Sequence, residues 1–226
     1  GVFTNKQNPE LISNFGNIQA ISTGSYHSLV LKNNKVYSWG NNRQGQLGLG
    51  EGVWDRQSPE LIHNFDNIIA ISAGSNDSLF LTSDNRVYSC GDNSNGQLGL
   101  DDFTDRQSPE LINLDNIKAI SAGSYHSLFL DTSGNVYSCG ENRYGQLGLG
   151  EGNTGNRKSP ELISSLFNII AISAGDKHSL FLDTSGNVYS CGLNNFGQLG
   201  LGHTAMRRIP ELIQTFVNNQ IQIEKI

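Results

Sequence analysis

The stretch Ser127-Leu128-Phe129-Leu130-Asp131-Thr132-Ser133-Gly134-Asn135-Val136-Tyr137-Ser138-Cys139-Gly140 returns without a single change at Ser179–Gly192. Two apolar runs flank Asp-Thr-Ser-Gly-Asn, a turn sequence in which Gly134 and Gly186 suit a left-handed residue. Looser copies of the same hairpin run through the chain. Pro-Glu-Leu-Ile begins at Pro9, Pro59, Pro109, Pro160 and Pro210, at spacings of 50, 50, 51 and 50 residues. Gly-Gln-Leu-Gly recurs with its glutamine at Gln46, Gln97, Gln146 and Gln198, and Ala-Ile-Ser recurs at Ala20, Ala70, Ala119 and Ala171. A fixed period of this size is the mark of a repeat architecture. Counted from the proline, the units are 9–58, 59–108, 109–159 and 160–209, with a partial unit 210–226. The chain 1–226 reads as a single repeat domain.

Each unit reads as short strands. In the second, Ile68–Ala73, Ser78–Leu81 and Val87–Cys90 are apolar runs. Pro59–Ile62 supplies a fourth, with proline at its first position, where a missing N–H is tolerated. Four strands of about five residues and four connections of about six fill roughly 44 residues, close to the period. A leucine-rich solenoid coil uses only about 20–30, so four strands per unit suit a propeller blade better. The runs lack clean alternation, as expected of sheets covered on both faces. The predicted fold class is all-β: a β-propeller of four-stranded blades, four full repeats plus a terminal strand.

Composition agrees. A chain of 226 residues can bury roughly 70% of its unfolded surface. Glycine and asparagine each number 26, while charged residues make up 16%. Both residues tolerate positive φ and mark tight turns, and long helices prefer other residues. No run approaches about 18 apolar residues, so no membrane-spanning helix is expected. No basic segment precedes an apolar run at the start, so no signal peptide is expected. A net charge of −6 argues against a surface that grips nucleic acid. Three cysteines do not make a disulfide scaffold. The expected location is intracellular, cytoplasmic or nuclear.

Kelch repeats have about this period, but their double glycine is absent. Trp54-Asp55 spells a WD dipeptide once, in a linker, and a blade signature must recur. The recurrent pattern is Ala-Gly-x-x-His-Ser-Leu, Gly-x-Val-Tyr-Ser-x-Gly, then x-Asn-x-x-Gly-Gln-Leu-Gly. The span Gly123–Gly148 carries it fully, with His126, Ser127, Leu128, Gly134, Val136, Tyr137, Gly140, Asn142 and Gly145-Gln146-Leu147-Gly148. This pattern closely resembles the regulator of chromosome condensation repeat over essentially the whole chain. The resemblance implies a seven-bladed ring, of which four units are present. Phe3–Pro9 aligns with Phe103–Pro109, as though Gly1 followed a Gly-Gln-Leu-Gly. The expectation is a C-terminal piece of a longer ring, with 217–226 as its final strand. A small closed ring of four or five blades is the alternative.

The resemblance also implies an activity, since the family's archetype accelerates guanine-nucleotide exchange on Ran. That activity depends on features of single blades, including a protruding β-wedge. The period here never departs by more than two residues and leaves no room for one. The archetype holds chromatin through basic loops and a basic tail, and this acidic chain shows neither.

Candidate chemistry is sparse. His27, His126 and His178 each precede a serine, as a base might precede a nucleophile. Yet the pair recurs once per unit and becomes Asp77-Ser78 in the second, so a histidine hydrogen-bonding a blade turn is the expected role. Cys90, Cys139 and Cys191 share a position with Trp39 and read as buried free thiols. Gly-Gln-Leu-Gly-Leu-Gly lacks the lysine of a phosphate loop and reads as a tight turn. Lys6, Arg56, Arg106, Arg157 and Arg207 stand three residues before the proline, and Glu10, Glu60, Glu110, Glu161 and Glu211 directly after it, which predicts repeated ion pairs. No catalytic residue, metal ligand, cofactor or deep pocket unique to one blade is expected.

The informative positions vary inside a constant frame, because loops on a rigid scaffold are where binding concentrates. Before Ser-Leu these are Tyr26, Tyr125 and Lys177. Before Gly-Gln-Leu-Gly they are Arg43, Arg143, Tyr144 and Phe196. Aromatic residues and arginine are enriched in interface hot spots, so these seven are the candidate partner-binding residues. Tyr125 and Phe196 are the expected aromatic anchors. The expected function is a non-enzymatic interaction scaffold that binds another protein through these loops, with no nucleic-acid or membrane partner. One alternative is a regulator or exchange factor for a Ran-like small GTPase. Another is a structural component that assembles with copies of itself, such as a virion protein if the source is viral.

Overall fold

The computed structural model describes residues 11–12, 15–218 and 223–226. Lys6, Pro9, Glu10 and the aligned segment before them lie outside these residues. The described chain folds into four antiparallel sheets of four strands. The first sheet holds β1 (Ile18–Thr23), β2 (His27–Lys32), β3 (Lys35–Gly40) and β4 (Arg56–Leu61). The second holds β5 (Ile68–Ala73), β6 (Asp77–Thr82), β7 (Val87–Gly91) and β8 (Arg106–Leu111). The third holds β9 (Ile117–Ala122), β10 (His126–Asp131), β11 (Val136–Gly140) and β12 (Arg157–Leu162). The fourth holds β13 (Ile169–Ala174), β14 (His178–Asp183), β15 (Val188–Gly192) and β16 (Arg207–Leu212). Within each sheet the strands lie in chain order, so these are four propeller blades.

Sequence unit and blade are out of phase. The proline strand that opens each unit is the outer strand of the preceding blade: Glu60 pairs with Ser38 of β3, not with β5. The chain returns from the loop after β3 against that strand's free edge, while β5 starts the next blade. The proline is also not at the strand's start. It falls inside a register shift, where Arg56–Glu60 of β4 faces Gly40–Ser38 of β3. A bulge on an outer strand is where a residue without an N–H does least harm.

The apolar cores lie between blades. Leu29, Leu31 and Val36 of the first blade pack on Ile68, Phe80 and Cys90 of the second, with Ile62 of the connection. Leu79, Leu81 and Val87 meet Phe129 and Cys139 in the same way, and Leu128, Leu130 and Val136 meet Phe181 and Cys191. Both faces of the middle blades are therefore covered, which is why their strands read as apolar runs. The turns follow the composition: eight of the nine described non-glycine residues with positive φ are asparagines, including the Asn33-Asn34 hairpin. Gly134 and Gly186 take φ of 89° and 81°, as expected, and Asn85 fills that place in the second blade.

The chain's end departs from expectation. Gln214–Asn218 form a short helix, α1, and Ile223–Ile226 form no strand. Residues 219–222 lie outside the described set. Phe216, Ile223 and Ile226 pack on Leu182, Val188 and Ile213 of the fourth blade. This cover is less complete than a full sheet. It leaves an apolar cleft of about 480 Å³ bordered by Leu180, Val188, Leu199 and Phe216.

Candidate partner-binding face

Antiparallel order puts the first and third connections of every blade at one end, and the second connection with the blade-to-blade crossing at the other. All seven candidate residues occupy the first end. Tyr26, Tyr125 and Lys177 sit in turns between first and second strands, and Arg43, Arg143, Tyr144 and Phe196 in loops between third and fourth strands.

Those longer loops are built identically by buried amides. The Asn42 carbonyl oxygen accepts from the Leu47 N–H at 2.9 Å, and its amide donates to the Val53 carbonyl at 2.7 Å. Asn93, Asn142 and Asn194 accept from Leu98, Leu147 and Leu199 in the same way. Gln46, Gln97, Gln146 and Gln198 each accept from the backbone N–H two residues back, at Gln44, Asn95, Tyr144 and Phe196. Between them stands a glycine, which in the first three blades abuts the next blade: a Cβ on Gly96 would lie 2.6 Å from the Arg157 carbonyl. The repeated frame thus clamps each loop and leaves its tip free to vary.

At the tips, Phe196 is 91% exposed and Tyr26 is 73% exposed. Arg43 and Arg143 are exposed, whereas Tyr125, Tyr144 and Lys177 are half-buried. Tyr125 is therefore less exposed than expected. The structure joins Arg43 and Tyr26 with Asn41, Gln44 and Asn76 around a cleft of about 390 Å³. It also joins Arg143, Tyr144 and Lys177: the Arg143 guanidinium carbon lies 5.6 Å and Lys177 Nζ 5.5 Å from the Tyr144 ring centre. Two residues of this face escaped the sequence reading. Trp54, dismissed with its WD dipeptide, is 78% exposed. Arg208 donates to the Asn142 and Arg143 carbonyls across the blade seam. Its signal was a second arginine where other units carry Gln57, Gln107 or Lys158.

The histidines serve the seams. His27 Nε2 lies 2.9 Å from Ser78 Oγ of the next blade, and Ser78 donates to the Gln46 carbonyl at 2.8 Å. His126, Ser179 and Gln146 repeat this at 2.9 and 2.7 Å. The partner is thus a serine on the neighbouring blade, neither the adjacent serine nor a turn. Burial pulls both imidazoles down to about 4, so they are neutral near pH 7. The three cysteines are free and buried, and burial pushes their thiols up. Each stands 3.5–3.7 Å from a glutamine carbonyl of the preceding blade. The predicted ion pairs form as i,i+4 contacts: Arg106 reaches Glu110 at 2.7 Å and Asp102 at 2.6 Å, Arg157 reaches Glu161 at 2.7 Å, and Arg56 and Arg207 reach Glu60 and Glu211. Lys6 and Glu10 lie outside the described residues.

Residues 2–225 match the family model described as RCC1-like domain. The chain belongs to the RCC1-like domain family. Human HERC4 is 37% identical over 211 residues, 89% of this chain and 20% of that protein. The human X-linked retinitis pigmentosa GTPase regulator is 40% identical over 191 residues, 82% of this chain and 18% of that one. Yeast RCC1 (Prp20), solved bound to Kap60, superposes with a TM-score of 0.80 at 28% identity, covering 90% of this chain and 50% of that one. A second Prp20p structure, from Saccharomyces cerevisiae and described with its binding properties to Gsp1p and histones, gives 0.79 at 27%, covering 89% and 52%. This RCC1-like chain thus spans about half of those solved chains and a fifth of HERC4.

Proposed function

We propose that this RCC1-like chain is a non-enzymatic interaction module that presents its loop face to another protein. The observation that supports this best is the division of labour in the repeat. Asn and Gln side chains clamp the loops, His and Ser tie neighbouring blades together, and the seven candidate residues, which vary within this frame, all lie at one end. Ser78 and Ser179 donate their hydroxyl protons to backbone carbonyls and not to the imidazoles beside them, so neither is arranged as an activated nucleophile. An intracellular location, cytoplasmic or nuclear, suits three unpaired cysteines.

A photo-reactive amino acid placed at Tyr26 or Phe196, and separately at Asp84 or Ser185 on the opposite end, tests this in cells of the source organism. One protein cross-linked from both loop-face positions and from neither opposite position is the expected result. Cross-links only from the opposite end would refute it. The alternative, regulation of a Ran-like small GTPase, is favoured by the Gsp1p named with Prp20p and by the name of the human GTPase regulator. Acceleration of fluorescent-nucleotide release from such a GTPase by catalytic amounts of the chain would establish it in place of the scaffold.

A further inference from the structure

The protein has 15 basic and 21 acidic side chains, so a carboxylate is available to most cations. Among the described residues, seven basic groups use one. Lys35 pairs with Asp66, Arg86 with Asp84, Lys158 with Asp101, and the four proline-motif arginines with their carboxylates. The seam between the third and fourth blades is different. None of Arg143, Lys177 and Arg208 has a carboxylate partner among the described residues, and all three stand around one loop tip. Arg143 and Lys177 both lean on the Tyr144 ring, and Arg208 is fixed by the Asn142 and Arg143 carbonyls. The equivalent place at the first seam holds one cation, Arg43, among Asn41, Gln44 and Asn76. At the second seam Asp92, Ser94, Asn95 and Tyr125 hold the corresponding positions, and the counterpart of Arg208 is Lys158, whose charge is paired with Asp101 at 3.2 Å. Like charges gathered with no carboxylate in direct contact repel one another, and an anion placed among them relieves that cost.

We propose that the Arg143–Tyr144–Lys177–Arg208 cluster receives an acidic peptide segment of the partner protein. The proposal rests on the loop-face reading and adds the chemistry of what docks there. Arginine offers a planar fork to a carboxylate, and Lys177 adds a second point of attraction beside it. Tyr144 supplies an apolar floor for the segment's side chains. Nucleic acid fits less well. Glu141, held by the Gln146 amide at 3.0 Å, and exposed Asp176 flank the cluster and would oppose an unbroken row of phosphates. A peptide can space its carboxylates to avoid them.

The test uses the full chain and fluorescence anisotropy with three labelled probes. These are a short Asp/Glu-rich peptide with one central tryptophan, its Asn/Gln counterpart, and a single-stranded oligonucleotide of matched charge. The acidic peptide should bind at least about tenfold more tightly than the other two. Its affinity should fall as salt rises, as expected for exposed charges. Arg143→Glu or Lys177→Glu should weaken it about tenfold, while Arg86→Glu at the opposite end should leave it unchanged. The milder Arg143→Gln, with a melting curve for each variant, separates lost binding from lost folding. An acidic peptide no better than its amide counterpart, or one indifferent to both seam variants, overturns the proposal. Equal binding of the oligonucleotide overturns it too, by making the cluster a general polyanion site. If loop-face cross-links capture a partner whose docked segment lacks carboxylates, the loop-face reading survives and this proposal fails.

Discussion

His27 Nε2 on the first blade lies 2.9 Å from Ser78 Oγ on the second, and the same hydroxyl donates to the Gln46 carbonyl of the first blade at 2.8 Å. One serine thus ties the second blade to both a strand and a loop of its neighbour. His126, Ser179 and Gln146 repeat the arrangement two blades on. At the intervening seam Asp77 replaces the histidine. Its shorter side chain leaves both carboxyl oxygens without a hydrogen-bond partner, and Ser127 keeps only its bond to the Gln97 carbonyl. The Gln97 amide nitrogen is unpartnered there as well.

The seams should therefore differ in their dependence on serine. Ser179→Ala strands a buried imidazole as well as a carbonyl, and should destabilise by about 1–3 kcal/mol. Ser127→Ala should cost less, because no histidine loses its partner. Urea unfolding of the two variants measures the difference; equal losses would contradict the bridging role.

Stability should also respond to pH in two opposed ways. His27 and His126 sit near 4 when folded and near 6.5 when unfolded. Their contribution is complete above about 6.5 and is lost as pH falls toward 4. Asp77 behaves in reverse. Burial, with Asp92's charge adding to it, lifts its carboxyl well above the usual carboxylate range. The folded protein holds that proton more tightly than the unfolded chain, so stability is lost as pH rises through the raised value. Asp77→Asn should then stabilise at pH 7, with the gain shrinking toward pH 4. Urea midpoints across that range check this, and a gain that does not change with pH would contradict it.

Leu128 is fully buried between the third and fourth blades. Leu128→Ala should destabilise by about 2–5 kcal/mol through the cavity it leaves. Arg157→Ala breaks a pair whose glutamate is largely solvated, and should cost less than about 1 kcal/mol. Thermal or urea unfolding of both variants ranks the two contributions.

Much of the fold was legible because repetition reports it directly. The identical Ser127–Gly140 and Ser179–Gly192 stretches become matching hairpins with the predicted left-handed glycines. The phase of the blades was not legible. Pro59 begins a sequence unit, but strand pairing is decided by which edge is free, and that is a three-dimensional fact. The variable loop residues could be found by comparing units, yet their exposure could not. Phe196 projects into solvent, whereas Tyr125 is half-covered and Tyr144 lies under two cations. Arg208 was hidden for the same reason, since it acts on carbonyls of the preceding blade, 65 and 66 residues earlier.

The central claim is that one end of the blades carries the binding, and two exposed phenylalanines test it most directly. Phe196 lies on the loop face and Phe167, 71% exposed, on the connection at the other end. Neither should matter much for folding, since exposed substitutions usually change stability by under about 0.5 kcal/mol. The decisive measurement is the affinity of the cross-linked partner, once purified, for Phe196→Ala and Phe167→Ala side by side. The account predicts a loss of about 2 kcal/mol or more for Phe196→Ala and no measurable loss for Phe167→Ala. The opposite pattern, with Phe167→Ala weakening binding and Phe196→Ala leaving it intact, would contradict it.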